Sequence, residues 1–283
     1  MIPRDLYSRI WKDISAEKSL VLMAGPRQCG KTTLARAIAG SFVNSLYFNW
    51  DEPGNKAKLI RRPDFFQEVP RKDESAPLIV LDEIHKYKDW KNYLKGIYDR
   101  FHEGYRFLVS GSGRLDVFRK GGDSLAGRYR LFHLWPFTLA ELAGRSSTIE
   151  GFLANPLMLC LEDEAGQGRI WSTLREFSGF PEPYVAGNRR TYTRWARSYT
   201  HQLVREDIRS LTDIRAVEDL EILLSLLPHK IGSPLSIPNL ADDLKVAYNT
   251  VRNWLTAFER FYLTFSITPW TGTISRSVRK ERK

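Results

Sequence analysis

A chain of 283 residues carrying 43 Lys and Arg against 33 Asp and Glu, a formal charge of +10, is long enough for a full core and for about two domains. No apolar run approaches the roughly 20 residues that cross a bilayer, and two cysteines, Cys29 and Cys160, make no disulfide framework; membrane-spanning and disulfide-scaffold classes are therefore excluded. The positive excess suits nucleic acid or another polyanion as partner, and equally suits a basic surface that binds nothing. The start, Met1-Ile2-Pro3-Arg4-Asp5, shows no apolar leader, so the expected location is the cytoplasm.

Leu6 to Ile14 has helical spacing (Leu6, Ile10, Trp11, Ile14). The apolar run Leu20-Val21-Leu22-Met23 reads as a strand, Ala24 to Thr33 as a loop, and Thr33 to Ile38 as a helix. A second strand, Leu46 to Asn49, closes on the turn Asp51-Glu52-Pro53-Gly54 and is followed by a charged helical stretch from Asn55 to Val69, broken near Pro63. Leu78-Ile79-Val80-Leu81 is unbroken in the manner of a central parallel strand covered on both faces. A helix from Lys88 to Arg100 leads to a fourth strand, Phe107 to Ser110, expected to lie between the strands of Leu20 and Leu78. Gly111 to Arg128 reads as a functional loop with one short helix, and Tyr129 to Leu134 as a fifth strand. Strands alternating with helices predict a doubly wound α/β sheet whose ligands sit beyond the carboxyl ends of the strands.

Beyond Leu139 the strand rhythm stops. Leu139 to Ile170 reads as helical with a break at Gly144-Arg145-Ser146-Ser147, Gly179-Phe180-Pro181-Glu182-Pro183 as a turn-rich boundary, and Thr191 to Leu211 as a long charged helix. Ser236 to Phe261 has the pattern of two helices joined by a turn at Lys245-Val246-Ala247. The expected division is a core over residues 1–140, a helical linker over 141–190 and a helical, winged-helix-like domain over 191–283.

The chemistry concentrates in Gly25-Pro26-Arg27-Gln28-Cys29-Gly30-Lys31-Thr32-Thr33, which has the G-x-x-x-x-G-K-[ST] spacing of a phosphate-binding loop between a strand and a helix. Gly25 and Gly30 let the backbone turn tightly, so that successive N–H groups and the positive end of the helix face one anion. Lys31 is then placed for the outer phosphates and the Thr32 hydroxyl for magnesium; a Gly-rich turn with an ordinary surface lysine would need neither flank. Asp82 and Glu83 follow a buried strand, where acids are costly unless they meet a cation or donors. Asp82 is expected to hold the magnesium shell and Glu83 to polarise an attacking water, which points to hydrolysis. No Asn-Lys-x-Asp base-reading motif is present. Ser110 reads either as a contact to the terminal phosphate or as a capping serine. Arg114, Arg119, Arg128 and Arg130 crowd one stretch, and Arg128 is the candidate for the arginine that stabilises transferred charge, in cis or from another subunit of a homo-oligomer; a basic surface loop is the plain alternative. His85 reads as a helix-start residue rather than a base.

With Gly25 to Thr33, Leu81-Asp82-Glu83-Ile84, Ser110-Gly111-Ser112, Ser124-Leu125-Ala126-Gly127-Arg128 and Gly179 to Pro183 in order, the chain resembles prokaryotic AAA-type ATPases, related to the archaeal-ATPase and STAND-like group, that carry a C-terminal domain of unknown function. The resemblance implies ATP and Mg2+, five parallel strands and a winged-helix-like segment after the core. It implies Lys31 and Thr32 as phosphate and magnesium contacts, Asp82 as magnesium partner, Glu83 as catalytic acid and Ser110 as strand-end sensor. Arg128 matches the Ala-Gly-Arg element. Members of this type usually run on, past a basic stretch, into a nuclease-like fold, whereas this sequence stops at Arg279-Lys280-Glu281-Arg282-Lys283, as a short variant or with the remainder missing; no nuclease activity is assigned to it. In the last helix pair Asn249, Thr250, Arg252 and Asn253 are expected at the exposed start of the second helix, where they would meet DNA, or a protein partner if the pair serves as a packing module.

Overall fold

The computed structural model describes residues 2–111, 115, 125–144, 153–154, 166–208 and 217–268. The chain falls into two compact units, Met1–Tyr192 and Thr193–Lys283.

The first unit is built on five parallel strands, β1 (Leu20–Ala24), β2 (Ser45–Asn49), β3 (Leu78–Asp82), β4 (Arg106–Ser110) and β5 (Tyr129–His133), in the order β2-β3-β4-β1-β5. The fourth strand lies between the first and third. β1 and β3 are buried along their whole length, which explains their apolar composition; β2 and β5, the edges, are mostly half-buried, with one exposed residue each, Ser45 and Arg130, and one buried residue each, Phe48 and Phe132. Period-two alternation sorts the core into two layers. Leu20, Leu22, Ile79, Leu81, Phe107 and Val109 share one cluster with Leu59 of helix α3 (Pro53–Arg61) and with Leu94 and Ile97 of α4 (Trp90–Phe101). Val21, Met23, Leu78, Val80 and Leu108 share the other with Tyr7 and Trp11 of α1 (Asp5–Glu17) and with Leu34, Ala35 and Ile38 of α2 (Lys31–Gly40). The expected break near Pro63 falls where α3 ends at Arg61 and a 3-10 turn, Phe65–Glu68, begins.

After β5 the chain forms the short helix α5 (Leu139–Leu142), then α6 (Gln167–Phe177) and α7 (Pro181–Ala186). The Gly179-to-Pro183 stretch bends at Gly179 and Phe180 and then enters α7 at Pro181, which pre-sets the first helical φ, while Gly179 takes the Phe137 N–H on its carbonyl at 2.7 Å. A Cβ at Gly179 would lie 2.2 Å from the Phe137 carbonyl oxygen, so only glycine permits that approach. The expected short helix after Gly111, together with Arg114, Arg119, Ser112 and Ser124, lies outside the described residues, as do Cys160, Arg145 to Ser147 and the basic end of the chain.

Helix α8 (Arg189–Gln202) continues as a π-helical turn, Leu203–Ile208. The second unit then holds α9 (Val217–Leu226), which the spacing did not announce, α10 (Ile237–Leu244) and α11 (Tyr248–Arg260). Ser236 caps α10 by accepting the Asn239 N–H, and Lys245, at φ +54°, ends it in the left-handed region. Val251, Trp254, Ala257 and Phe258 form the buried face of α11. The described residues of this unit are helices and turns without a strand.

Candidate nucleotide site at the carboxyl edge of the sheet

Parallel pairing puts the ends of β1, β3 and β4 at one edge, where Asp82 lies opposite Ser110 and Ser110 opposite Met23. The loop Gly25 to Gly30 leaves β1 at this edge and enters α2, whose N-cap, Gly30 at φ +98°, contributes no side-chain hydrogen bond. The first N–H groups of the helix therefore have no capping side chain to serve them. Gly25, at φ +154°, is fixed by crowding: a Cβ there would meet the Leu134 carbonyl oxygen at 2.2 Å. Gln28 holds φ +61° without being glycine, a local strain of about 1–3 kcal/mol. Beside it the Cys29 thiol donates to the Leu134 carbonyl at 3.2 Å, and burial keeps that thiol above its ordinary pKa despite the charges of Lys31 and Arg4. Arg27 belongs to the same loop, and Thr33 is exposed on the first turn of α2.

Lys31 is 7% exposed and folds back on its own loop, its Nζ donating to the carbonyls of Gly25 at 3.0 Å and Pro26 at 2.6 Å. Among the described residues no carboxylate pairs with it. Asp82, 2% exposed, is the opposite case: one carboxylate oxygen accepts from Ser110, the other from Thr32 Oγ1 at 2.9 Å and from Tyr47 of β2. All three donors are neutral hydroxyls. A buried cation and a buried anion thus stand at one edge, each held by dipoles and neither ion-paired among the described residues.

Glu83 leaves β3 in the left-handed region, φ +57° and ψ +17°, with its N–H on the Ser110 carbonyl at 3.0 Å. Its carboxylate lies 3.2 Å from Lys86 Nζ and 3.6 Å from His85 Nε2, and Lys86 also reaches Asp51 at 2.6 Å. Burial raises the Glu83 pKa and the neighbouring Asp82 adds to the rise, while Lys86 and Lys31 oppose it. His85 is buried in the 3-10 turn Ile84–Lys86 and packs against Gly111, where a Cβ would come 2.4 Å from its Nδ1. Burial also lifts the Tyr47 phenol well above its usual range, with the Asp82 carboxylate adding to the lift, so it stays a donor.

Arg128 is not at this edge. It precedes β5, whose first residue, Tyr129, pairs with Leu20, the first residue of β1. It therefore lies at the amino end of the strands, roughly 13–16 Å of strand length from the phosphate loop. There its guanidinium bonds Asp99 of α4, Nε to Oδ1 at 2.7 Å, and each partner shifts the other's pKa toward the charged form. This corrects the expectation of Arg128 as an arginine finger in cis: the register of β5 points it the wrong way. Asn249, Arg252 and Asn253 are exposed on the first turns of α11 and Thr250 is half-buried, all in the second unit.

Two residues at the nucleotide edge escaped the sequence reading. Tyr47 reads from the sequence only as part of a strand. Arg4, 8% exposed, bonds the Cys29 carbonyl at 3.0 Å, the Trp135 carbonyl at 2.6 Å and both oxygens of Glu141 at 2.5 and 3.1 Å. Its guanidinium also lies 4.7 Å from the Tyr7 ring centroid and 4.8 Å from that of Phe137. An arginine outside any motif gives no local signal; only the fold brings it to the loop.

Together the strand order, the glycine-bent loop into α2 and the edge carrying Lys31, Asp82 and Ser110 define an AAA-type P-loop core of the nucleotide-binding kind. Residues 17–143 match the family described as AAA domain, and residues 169–283 match a domain of unknown function, DUF8612. Uncharacterized protein Rv2008c of Mycobacterium tuberculosis is 26% identical over 280 residues, 99% of this chain and 56% of that protein. Uncharacterized protein MJ1637 of Methanocaldococcus jannaschii is also 26% identical, with 94% of this chain and 60% of the relative covered. The chain thus spans little more than half the length of these relatives. The Walker-type ATPase PABY2304 of Pyrococcus abyssi shares the fold, with a TM-score of 0.59 at 15% identity over 100% of this chain and 93% of that one. No helix among the described residues is long and apolar enough to cross a membrane.

Proposed function

We propose that the protein binds ATP with Mg2+ at the carboxyl edge of the sheet, hydrolyses it, and couples nucleotide state to its C-terminal unit. The observation that carries this is the pair of buried, oppositely charged groups, Lys31 and Asp82, held at one edge by dipoles without counter-ions among the described residues. Buried charges are costly when unpaired, so a site that keeps both is organised for a ligand bearing both signs.

Magnesium fits the donor set. It is usually held through one or two carboxylates, a hydroxyl and substrate phosphates rather than by an all-protein cage. Asp82 with Thr32 offers such a set, and no cluster of three or more His, Cys, Asp or Glu occurs among the described residues. When bound, the ion supplies charge neutralisation on the phosphate oxygens. Lys31 would leave the Gly25 and Pro26 carbonyls for the outer phosphates, and the α2 N–H groups would hold their oxygens. Glu83, poised by burial to accept a proton, would polarise the attacking water, and Ser110 would orient the terminal phosphate or that water. Arg128 would act only from another subunit of an oligomer.

A second reading is a nucleotide-dependent binding switch with little turnover. It is favoured by the contact of Glu83 with Lys86, which competes with any water for the carboxylate. Turnover at saturating Mg-ATP, with and without duplex DNA, separates the two: tight ATP binding with no hydrolysis in any condition selects the switch.

For the partner we propose a polyanion, DNA first, met by the exposed Asn249, Arg252 and Asn253 together with Thr250. The charge of +10 supports this. So do Arg194 and Arg197, three residues apart on α8 in the second unit, which are exposed and make no ion pair among the described residues. DNA binding should weaken steeply with salt, and Arg252→Ala should weaken it further; binding indifferent to salt and to Arg252→Ala would instead indicate a protein partner.

A further inference from the structure

The Asp82 carboxylate has three hydroxyl donors, and they differ in what else they are asked to do. In the reading above, Thr32 turns its oxygen toward the cation and Ser110 toward phosphate or water. Tyr47 has no such second task. It stands on the edge strand β2 paired with Val80, two residues before Asp82, and its hydroxyl reaches the same carboxylate oxygen as Thr32. On its other side the Arg36 guanidinium lies 4.9 Å from the ring centroid. Arg36 is one helical turn beyond Thr32, so α2 places both the metal-side hydroxyl and the cation that holds the tyrosine ring.

We propose that Tyr47 is a positioning residue of this site, the donor that keeps Asp82 aimed once Thr32 and Ser110 are engaged by ligand, and that it thereby sets how strongly a divalent cation reinforces nucleotide binding. This rests on the assignment of Asp82 to the cation. A freed carboxylate oxygen can rotate about its last side-chain torsion, which is broad and soft, so the loss of one charge-assisted bond falls on the metal-dependent part of affinity. Affinity for the nucleotide alone, carried by the loop and Lys31, is left in place.

The test is the ratio of ATP affinity in excess Mg2+ to that in EDTA, measured by calorimetry on wild type, Tyr47→Phe and Asp82→Asn. Tyr47→Phe keeps the ring under Arg36 and should lower the ratio roughly 3- to 10-fold while the EDTA value stays within about twofold. Asp82→Asn should remove most of the ratio. An unchanged ratio in Tyr47→Phe with a collapsed one in Asp82→Asn overturns the role of Tyr47 and leaves the cation site standing. Equal losses with and without Mg2+ make Tyr47 merely structural, which also overturns the proposal. If neither variant moves the ratio, the assignment of Asp82 fails and takes this inference with it.

Discussion

The two ends of the same five strands treat charge in opposite ways. At the carboxyl end Lys31, Asp82 and Ser110 come from three separate parts of the chain, are nearly removed from water, and are held by carbonyls and hydroxyls. At the amino end Arg128 bonds Asp99 and Arg130 bonds Glu17 across exposed or half-exposed side chains, while Arg106 donates to the Ser15 carbonyl. The amino-end pairs are complete and wet, so they add little to stability and ask for no ligand. Lys31 and Asp82 at the carboxyl end are instead dry and, among the described residues, without an ion pair. Strained backbone follows the same division: Gln28 and Glu83, both non-glycine at positive φ, flank the carboxyl edge, and among the described residues of the first unit no non-glycine residue at the amino end of the strands holds a positive φ.

The sharpest way to break this contrast is Lys31→Ala. It should weaken ATP binding by a factor of 100 or more, on the order of 3 kcal/mol, in a nucleotide-binding titration, because it removes the charge that the loop carbonyls hold ready. Retained affinity would mean that the carboxyl edge is no more of a site than the amino edge. Glu83→Gln should keep ATP binding and lose turnover by roughly 100-fold, the usual weight of a positioned base. The pH dependence follows from the burial that raises the Glu83 pKa. Turnover should fall on acidification at a pH above the ordinary glutamate value of about 4.3, and Lys86→Met, which removes an opposing charge, should move that limb higher still. For stability the sign is reversed: a raised folded-state pKa favours the fold below the ordinary value, and the benefit is lost as pH rises through the shifted one. Glu83→Gln should therefore raise Tm at pH 7, with the gain vanishing near pH 4.

Arg4 ties the carboxyl edge to the segments after β5. Removing it leaves Glu141 buried, at 4% side-chain exposure, without its cation. Arg4→Ala should cost about 3–5 kcal/mol in denaturant unfolding, and Glu141→Gln, which leaves a neutral acceptor for Arg4, should cost less. Equal, negligible losses would place this pair with the wet pairs of the amino end.

How much of this was legible in the sequence follows from range. The phosphate loop was readable because its glycines, lysine and threonine are consecutive and the local strand and helix agree with them. Asp82 and Glu83 were readable because an acid after four apolar residues breaks the logic of burial. The five strands came from unbroken or alternating apolar runs, and β4 between β1 and β3 followed from the fold class. What the sequence could not give was anything set by register or by distant contact. Arg128 sits in an Ala-Gly-Arg element close in sequence to other arginines, yet one strand register carries it to the far edge. Tyr47 meets Asp82 across a strand pair, and Arg4 meets Cys29, Trp135 and Glu141 across separations that no local pattern encodes. Helix α9 was missed because its composition, Val217 to Leu226, is apolar around most of its circumference and gives little amphipathic period.

Arg128→Ala is the gentlest perturbation and tests the amino edge directly. In dilute protein it should leave Tm and ATP affinity near the wild-type values, since an exposed pair with Asp99 carries little of the fold. Its only route to the chemistry is from a neighbouring subunit, where an arginine would meet the charge that builds on the transferred phosphoryl group. In that case specific activity should rise with protein concentration, and mixing Arg128→Ala with Lys31→Ala chains should restore turnover, because each supplies what the other lacks. Activity that is flat with concentration and unrescued by mixing would confine Arg128 to its surface pair, and the two ends of the sheet would then differ in function as completely as they do in burial.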